Sequence, residues 1–207
     1  MLALSRNDET VRNTNIYKRQ YLSSEILTQR DGIIYLMSIK DCFSKKWISY
    51  ELSRTCIARD CIKAVQKAYA IRFPDGNHHD LILRTDNGPQ YISEIFKETV
   101  KLLGIISEYI QKHPPEDNVD IESFHNSLKT DYIWVNDIET FQDAQNLMEE
   151  AFVDYNTVRP HSSILFLAPD EFERRWMYDG RKKKEVEGKC LIGRRNICPK
   201  LRGSDHS

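Results

Sequence analysis

Two β-rich runs only a few residues apart constrain this chain more than any other feature. From Gly32 it reads GIIYLMSIKDCFSKKWISYELS, split by the turn-like Cys42-Phe43-Ser44-Lys45-Lys46. The pattern predicts a hairpin with both strands in the core. A helix should follow, because residues 55–72 space Ile57, Cys61, Ala64, Val65 and Ala68 at three- and four-residue steps, as one buried helix face demands. Then Phe73-Pro74-Asp75-Gly76-Asn77 reads as a loop, and Leu81-Ile82-Leu83-Arg84-Thr85 as a short apolar strand running into Asp86-Asn87-Gly88-Pro89. Strand-to-loop junctions of this kind often carry chemistry.

Ser93 can cap a helix through Leu103, with Gly104 as its stop, and Ile105–Ile110 reads as another short strand. After His113-Pro114-Pro115, helices are expected over roughly 119–131 and 139–157. The second aligns Phe141, Ala144, Leu147, Met148, Ala151 and Phe152 on one face. Pro169 suits the first position of a short helix, PDEFERRWM. Strands first, then helices interleaved with single strands, fit a mixed α/β sheet covered by helices.

Hydrophobic residues at 40% and charged ones at 29% exclude a disordered chain. No run approaches the ~18 apolar residues of a spanning helix, and the first twenty residues lack the apolar core of a secretory signal, so a cytoplasmic protein is expected. Cys42, Cys56, Cys61, Cys190 and Cys198 form no CxxC pair and read as reduced thiols. The net charge of −1 conceals a polarity: residues 179–207 hold nine Lys or Arg against four acids. Such a tail, with Lys182, Lys183 and Lys184 at its head, can gain affinity for DNA by counterion release, or simply be a solvated end.

Asp86 closes an apolar strand, Glu122 opens the helical DIESFHNSLK, and thirty-five residues lie between them. Acids are common enough here that spacing alone decides nothing. Context decides: LRTDNGPQY surrounds the first, HPPEDNVDIESFHNSLK the second, and Lys129 follows Glu122 by two helical turns. Taken singly, Asp86 could be a turn residue and Glu122 a first-turn acid.

With these motifs the chain resembles the DDE transposases and retroviral-type integrases, especially their insertion-sequence branch. The likeness covers roughly residues 21–176. It includes YLMSIKDCFSKKWISYELS, TDNGPQY, the SFHNSLK helix, and Tyr155-Asn156, Arg159-Pro160-His161, Leu165, Pro169 and Phe172. The resemblance implies an RNase H-like mixed sheet flanked by helices, with a C-terminal helical extension and a basic tail. Its expected limits are an unrelated N-terminal segment at 1–20, a catalytic core at 21–178 and the tail at 179–207.

It also implies metal-dependent cleavage and transfer of DNA strands, with two Mg²⁺ or Mn²⁺ ions bridged by Asp86 and bound by Glu122. A cation pair relieves carboxylate repulsion of roughly 4 kcal/mol at 4 Å and an effective dielectric near 20. Lys129 would hold a DNA phosphate. Arg159 and His161 would order a loop, contact DNA or pack a helix end; His125 is expected to pack rather than bind metal. The implied partners are insertion-sequence ends, target DNA and further copies of the chain. No helix-turn-helix pattern precedes the core, so a companion protein of that type is expected to recognise the ends, unless end recognition has been lost.

Three departures stand out. The family's first Asp lies in a stretch like D-x-T-Y-L, here matched to Lys18-Arg19-Gln20-Tyr21-Leu22, which puts Lys18 in the acid's place. A lysine cannot ligate Mg²⁺, so catalysis is expected to fail. Residues before Tyr21 read as an unrelated frame, as in a truncated or frameshifted copy, while another register would recruit Glu25 as a substitute. Asp41, in SIKD, matches an acid the family carries on its second strand, whereas the catalytic acid lies on the strand before. Val119 stands where a Gly or Ala is usual, a milder change.

Overall fold

The computed structural model describes residues 18–76, 81–109 and 119–177, with the side chains of 18–23 and 119–122 left aside. Three strands come first, β1 (Lys18–Thr28), β2 (Gly32–Asp41) and β3 (Trp47–Ser53), followed by helix α1 (Ala58–Arg72). Strand β4 (Ile82–Thr85), short helix α2 (Pro89–Ile92), helix α3 (Glu94–Leu102) and strand β5 (Ile106–Tyr109) complete the sheet. Helix α4 (Val119–Leu128) runs into a π-helical turn at Lys129–Ile133, and α5 (Phe141–Thr157) follows. Residues 169–177 form a last helix, α6.

The sheet order is β3-β2-β1-β4-β5. β1, β2 and β3 pair antiparallel, β1 with β4 and β4 with β5 parallel. The expected hairpin is β2–β3, and β1 adds a third antiparallel strand before it.

Side chains alternate across a strand, so β2 feeds two cores. Met37 and Ile39 join Ile48, Cys61, Val65, Leu83 and Phe96 beneath α1 and α3. Ile34 and Leu36 join Ile26, Trp47, Phe124, Leu128, Met148 and Tyr155 beneath α4 and α5. α1 starts later than its apolar spacing suggested: Ile57 is the extended N-cap residue and half exposed. α5 begins with a full capping box between Thr140 and Asp143. Ser93 does not cap α3; its hydroxyl donates instead to the Gln90 carbonyl at 2.8 Å.

Trp47 is fully buried, and Asn156 completes the hydrogen bonding of its backbone. The Trp47 N–H donates to Asn156 Oδ1 and Asn156 Nδ2 donates to the Trp47 carbonyl, each at 2.9 Å. The amide thus behaves as a substitute strand partner beside the register shift between Ile39 and Lys40.

Candidate active site

Asp86 follows β4 directly and is exposed. Its Oδ1 accepts the Gly88 N–H at 2.7 Å, closing a tight turn over its own backbone. A Cβ on Gly88 would sit 2.9 Å from that Oδ1 and 2.5 Å from Gln90 Nε2. The glycine therefore serves close approach, and the turn holds the carboxylate at the strand's mouth.

The other acid, Glu122, lies in the first half of α4 and is placed by backbone alone. Three residues on, His125 Nδ1 shares a hydrogen bond with Ser24 Oγ of β1. Positions three apart neighbour each other along a helix, so this contact ties the turn that carries Glu122 to β1. Burial, then the nearby Lys129 ammonium, pushes the His125 pKa down to about 4, which keeps the ring neutral near neutral pH.

Lys129 is half-buried at the start of the π-helical turn. Arg159 is committed inside the fold: Nη1 pairs with Asp131, Nη2 donates to Ser127 Oγ at 3.0 Å, and the guanidinium lies over Tyr155. It braces α4 and the π-helical turn against α5. His161 packs its ring against Tyr155 at 4.8 Å. Lys182, Lys183 and Lys184 lie outside the described residues.

On β1 the register is informative. Lys18 pairs with Ile82, Arg19 with Leu83 and Gln20 with Arg84. Lys18 therefore lies four residues short of the Asp86 level, roughly 13 Å at strand rise. Glu25 is exposed between buried Ser24 and Ile26, so it faces away from the side that α4 covers. Asp41 is spent on structure: Oδ1 accepts the Phe43 and Ser44 N–H groups at 2.9 and 3.1 Å, and Oδ2 pairs with Arg72 at 3.4 Å.

A strand-end aspartate, and a helix that carries Glu122 and touches the neighbouring strand β1, on a sheet of this order, set the comparison with known proteins. Residues 23–115 match the family described as Integrase core domain, and residues 103–169 match a second of the same description. The chain belongs to the integrase core family. Its sheet is RNase H-like. This integrase core is 31% identical over 150 residues to the transposase of insertion element IS904 from Lactococcus lactis, covering 70% of this chain and 56% of that one. It thus spans little more than half of that relative's length. Among solved structures it resembles the BIV integrase catalytic core, with TM-score 0.58 and 17% identity over 80% of this chain and 99% of that one. The HTLV-2 integrase core, solved with magnesium in a trimeric form, gives TM-score 0.59 and 16% identity over 76% of this chain and 95% of that one.

The sequence pattern passed over Ser24, Ser38 and Lys40, which are buried polar residues of β1 and β2. Strand alternation through LSSEILT is the signal that could have found the first.

Proposed function

We propose that this protein works on DNA in transposition, as the core of a DDE polynucleotidyl transferase. The supporting observation is the placement of Asp86, which parallel pairing of β1 and β4 delivers to a strand end next to the strand touched by α4. Its partners on this reading are insertion-sequence ends, target DNA, further copies of itself and a companion helix-turn-helix protein. Mg²⁺ or Mn²⁺ is the cofactor class, since a divalent pair can activate the attacking oxygen and stabilise the leaving one in an in-line displacement.

The residues present do not complete such a site. Asp86 and Glu122 supply two acids, and β1 carries none that shares both the level of Asp86 and the sheet face toward α4. This favours a second reading: the core engages DNA and other transposase copies without cutting, as an inhibitory remnant would. On either reading Lys129 and Lys182–Lys184 contact phosphates.

The test is binding to terminal-repeat duplex across a salt series, with a strand-transfer assay in Mg²⁺ or Mn²⁺ beside it. Affinity should fall steeply with salt, survive Asp86→Asn and Glu122→Gln, and lose slope by up to ~0.9 per phosphate contact removed when Lys182–Lys184 become Ala. Absence of DNA binding at low salt would refute both readings. Strand transfer that vanishes with Asp86→Asn would select the enzyme.

A further inference from the structure

We infer that Leu22, not Lys18, occupies the place of the carboxylate this site lacks, and that this leucine keeps the protein from binding a divalent cation pair. The inference rests on the transposition reading above and gives its site a specific defect. Three observations carry it.

The first is register. β1 and β4 pair in parallel from Lys18↔Ile82 to Gln20↔Arg84, and two further steps bring Leu22 level with Asp86. Strand alternation puts position 22 on the sheet face of Ser24 and Ile26, the face covered by α4 and α5.

The second is an orphaned polar atom. Leu22 is the cross-strand partner of Ser38, and antiparallel partners share a face with their Cβ atoms ~5 Å apart. Ser38 is 1% exposed, and its hydroxyl has no hydrogen-bond partner among the described residues. A buried hydroxyl normally finds an acceptor, and a carboxylate at position 22 would supply one. Two residues along, Lys40, the partner of Gln20, is 6% exposed with its ammonium over the Phe124 ring of α4, so a buried cation also flanks the position.

The third is the helix contact. Ser24, two residues beyond position 22 on the same face, meets His125, and Glu122 lies one turn before His125 in α4. Position 22 is therefore level with Asp86 and two residues from the contact that α4, the helix bearing Glu122, makes with β1. Neither Lys18, four levels away, nor Glu25, on the opposite face, occupies such a place.

The experiment is one substitution in the full chain, Leu22→Asp, compared with the native protein, Lys18→Asp and Leu22→Asp/Asp86→Asn. Thermal unfolding is followed with Mn²⁺ and with EDTA. Leu22→Asp should gain a Mn²⁺-dependent rise in Tm of about 5 °C or more, the size expected for a ligand well above its Kd. The other three proteins should show none.

A rise in Lys18→Asp but not Leu22→Asp overturns the inference, as does an Asp86-dependent rise in the native chain. Should Leu22→Asp be unfolded in EDTA while Leu22→Asn folds, recovery of its circular dichroism on adding Mn²⁺ supports the inference and failure to recover overturns it. DNA binding by the native protein is scored separately, so the transposition reading can fail or stand independently of the metal result.

Discussion

Asp41 and Asp86 both close a strand of the same sheet, yet they are put to opposite uses. Asp41 is 4% exposed and accepts from two backbone N–H groups while pairing with Arg72. Arg72 in turn pairs with Glu173, which accepts the Ser44 hydroxyl at 2.7 Å and meets Lys46 at 3.4 Å. This network pins α6 to the β2–β3 turn, with Phe43 packed edge-on against Phe172 and Trp176. Asp86 is exposed and tied to its own turn through Gly88. One acid is consumed by the fold, and the other keeps its carboxylate exposed. Across from backbone position 22, the buried Ser38 hydroxyl has no hydrogen-bond partner among the described residues.

The contrast breaks most sharply on stability. Asp41→Ala leaves two backbone N–H groups without their acceptor and takes from the buried Arg72 one of its two carboxylates, Glu173 remaining, so urea denaturation should show a loss of about 3 kcal/mol. A loss below about 1 kcal/mol would mean that Asp41 is no more structural than Asp86. A smaller effect is expected from His125, whose folded-state pKa lies near 4 against an ordinary 6.5. Between those values the unfolded chain binds more protons, so stability is complete above pH 6.5 and declines as pH falls toward 4, by an amount on the order of 2 kcal/mol. His125→Gln should flatten that part of a pH–stability curve; an unchanged slope would place the titration elsewhere. The smallest effect belongs to Asp86→Asn, which should shift stability by no more than about 0.5 kcal/mol because the side chain is exposed.

Much of this architecture was legible in the residues. The β2–β3 hairpin, α1, β4 with its Asp86 turn and α5 all follow from periodicity and turn chemistry, because their buried faces are apolar. β1 was not legible as a strand over its full length. Its inward positions include Ser24 and Thr28, while Leu27 points outward at 75% exposure, so the hydrophobic pattern runs against the burial. Matching a short motif puts the missing acid at Lys18, which the backbone register sets four residues short of the Asp86 level. For Arg159 the sequence left loop ordering, DNA contact and helix-end packing open, because nothing in it reveals the pairing with Asp131, twenty-eight residues away. The end of α4 was read as continuous helix to residue 131, whereas it widens into a π-helical turn at Lys129.

The register of β1 against β4 bears most directly on this account, and cross-strand nuclear Overhauser effects report it. Backbone proton contacts of residue 22 with Thr85 and Asp86 are the predicted result. Contacts joining residue 18, rather than residue 22, to Asp86 would contradict it.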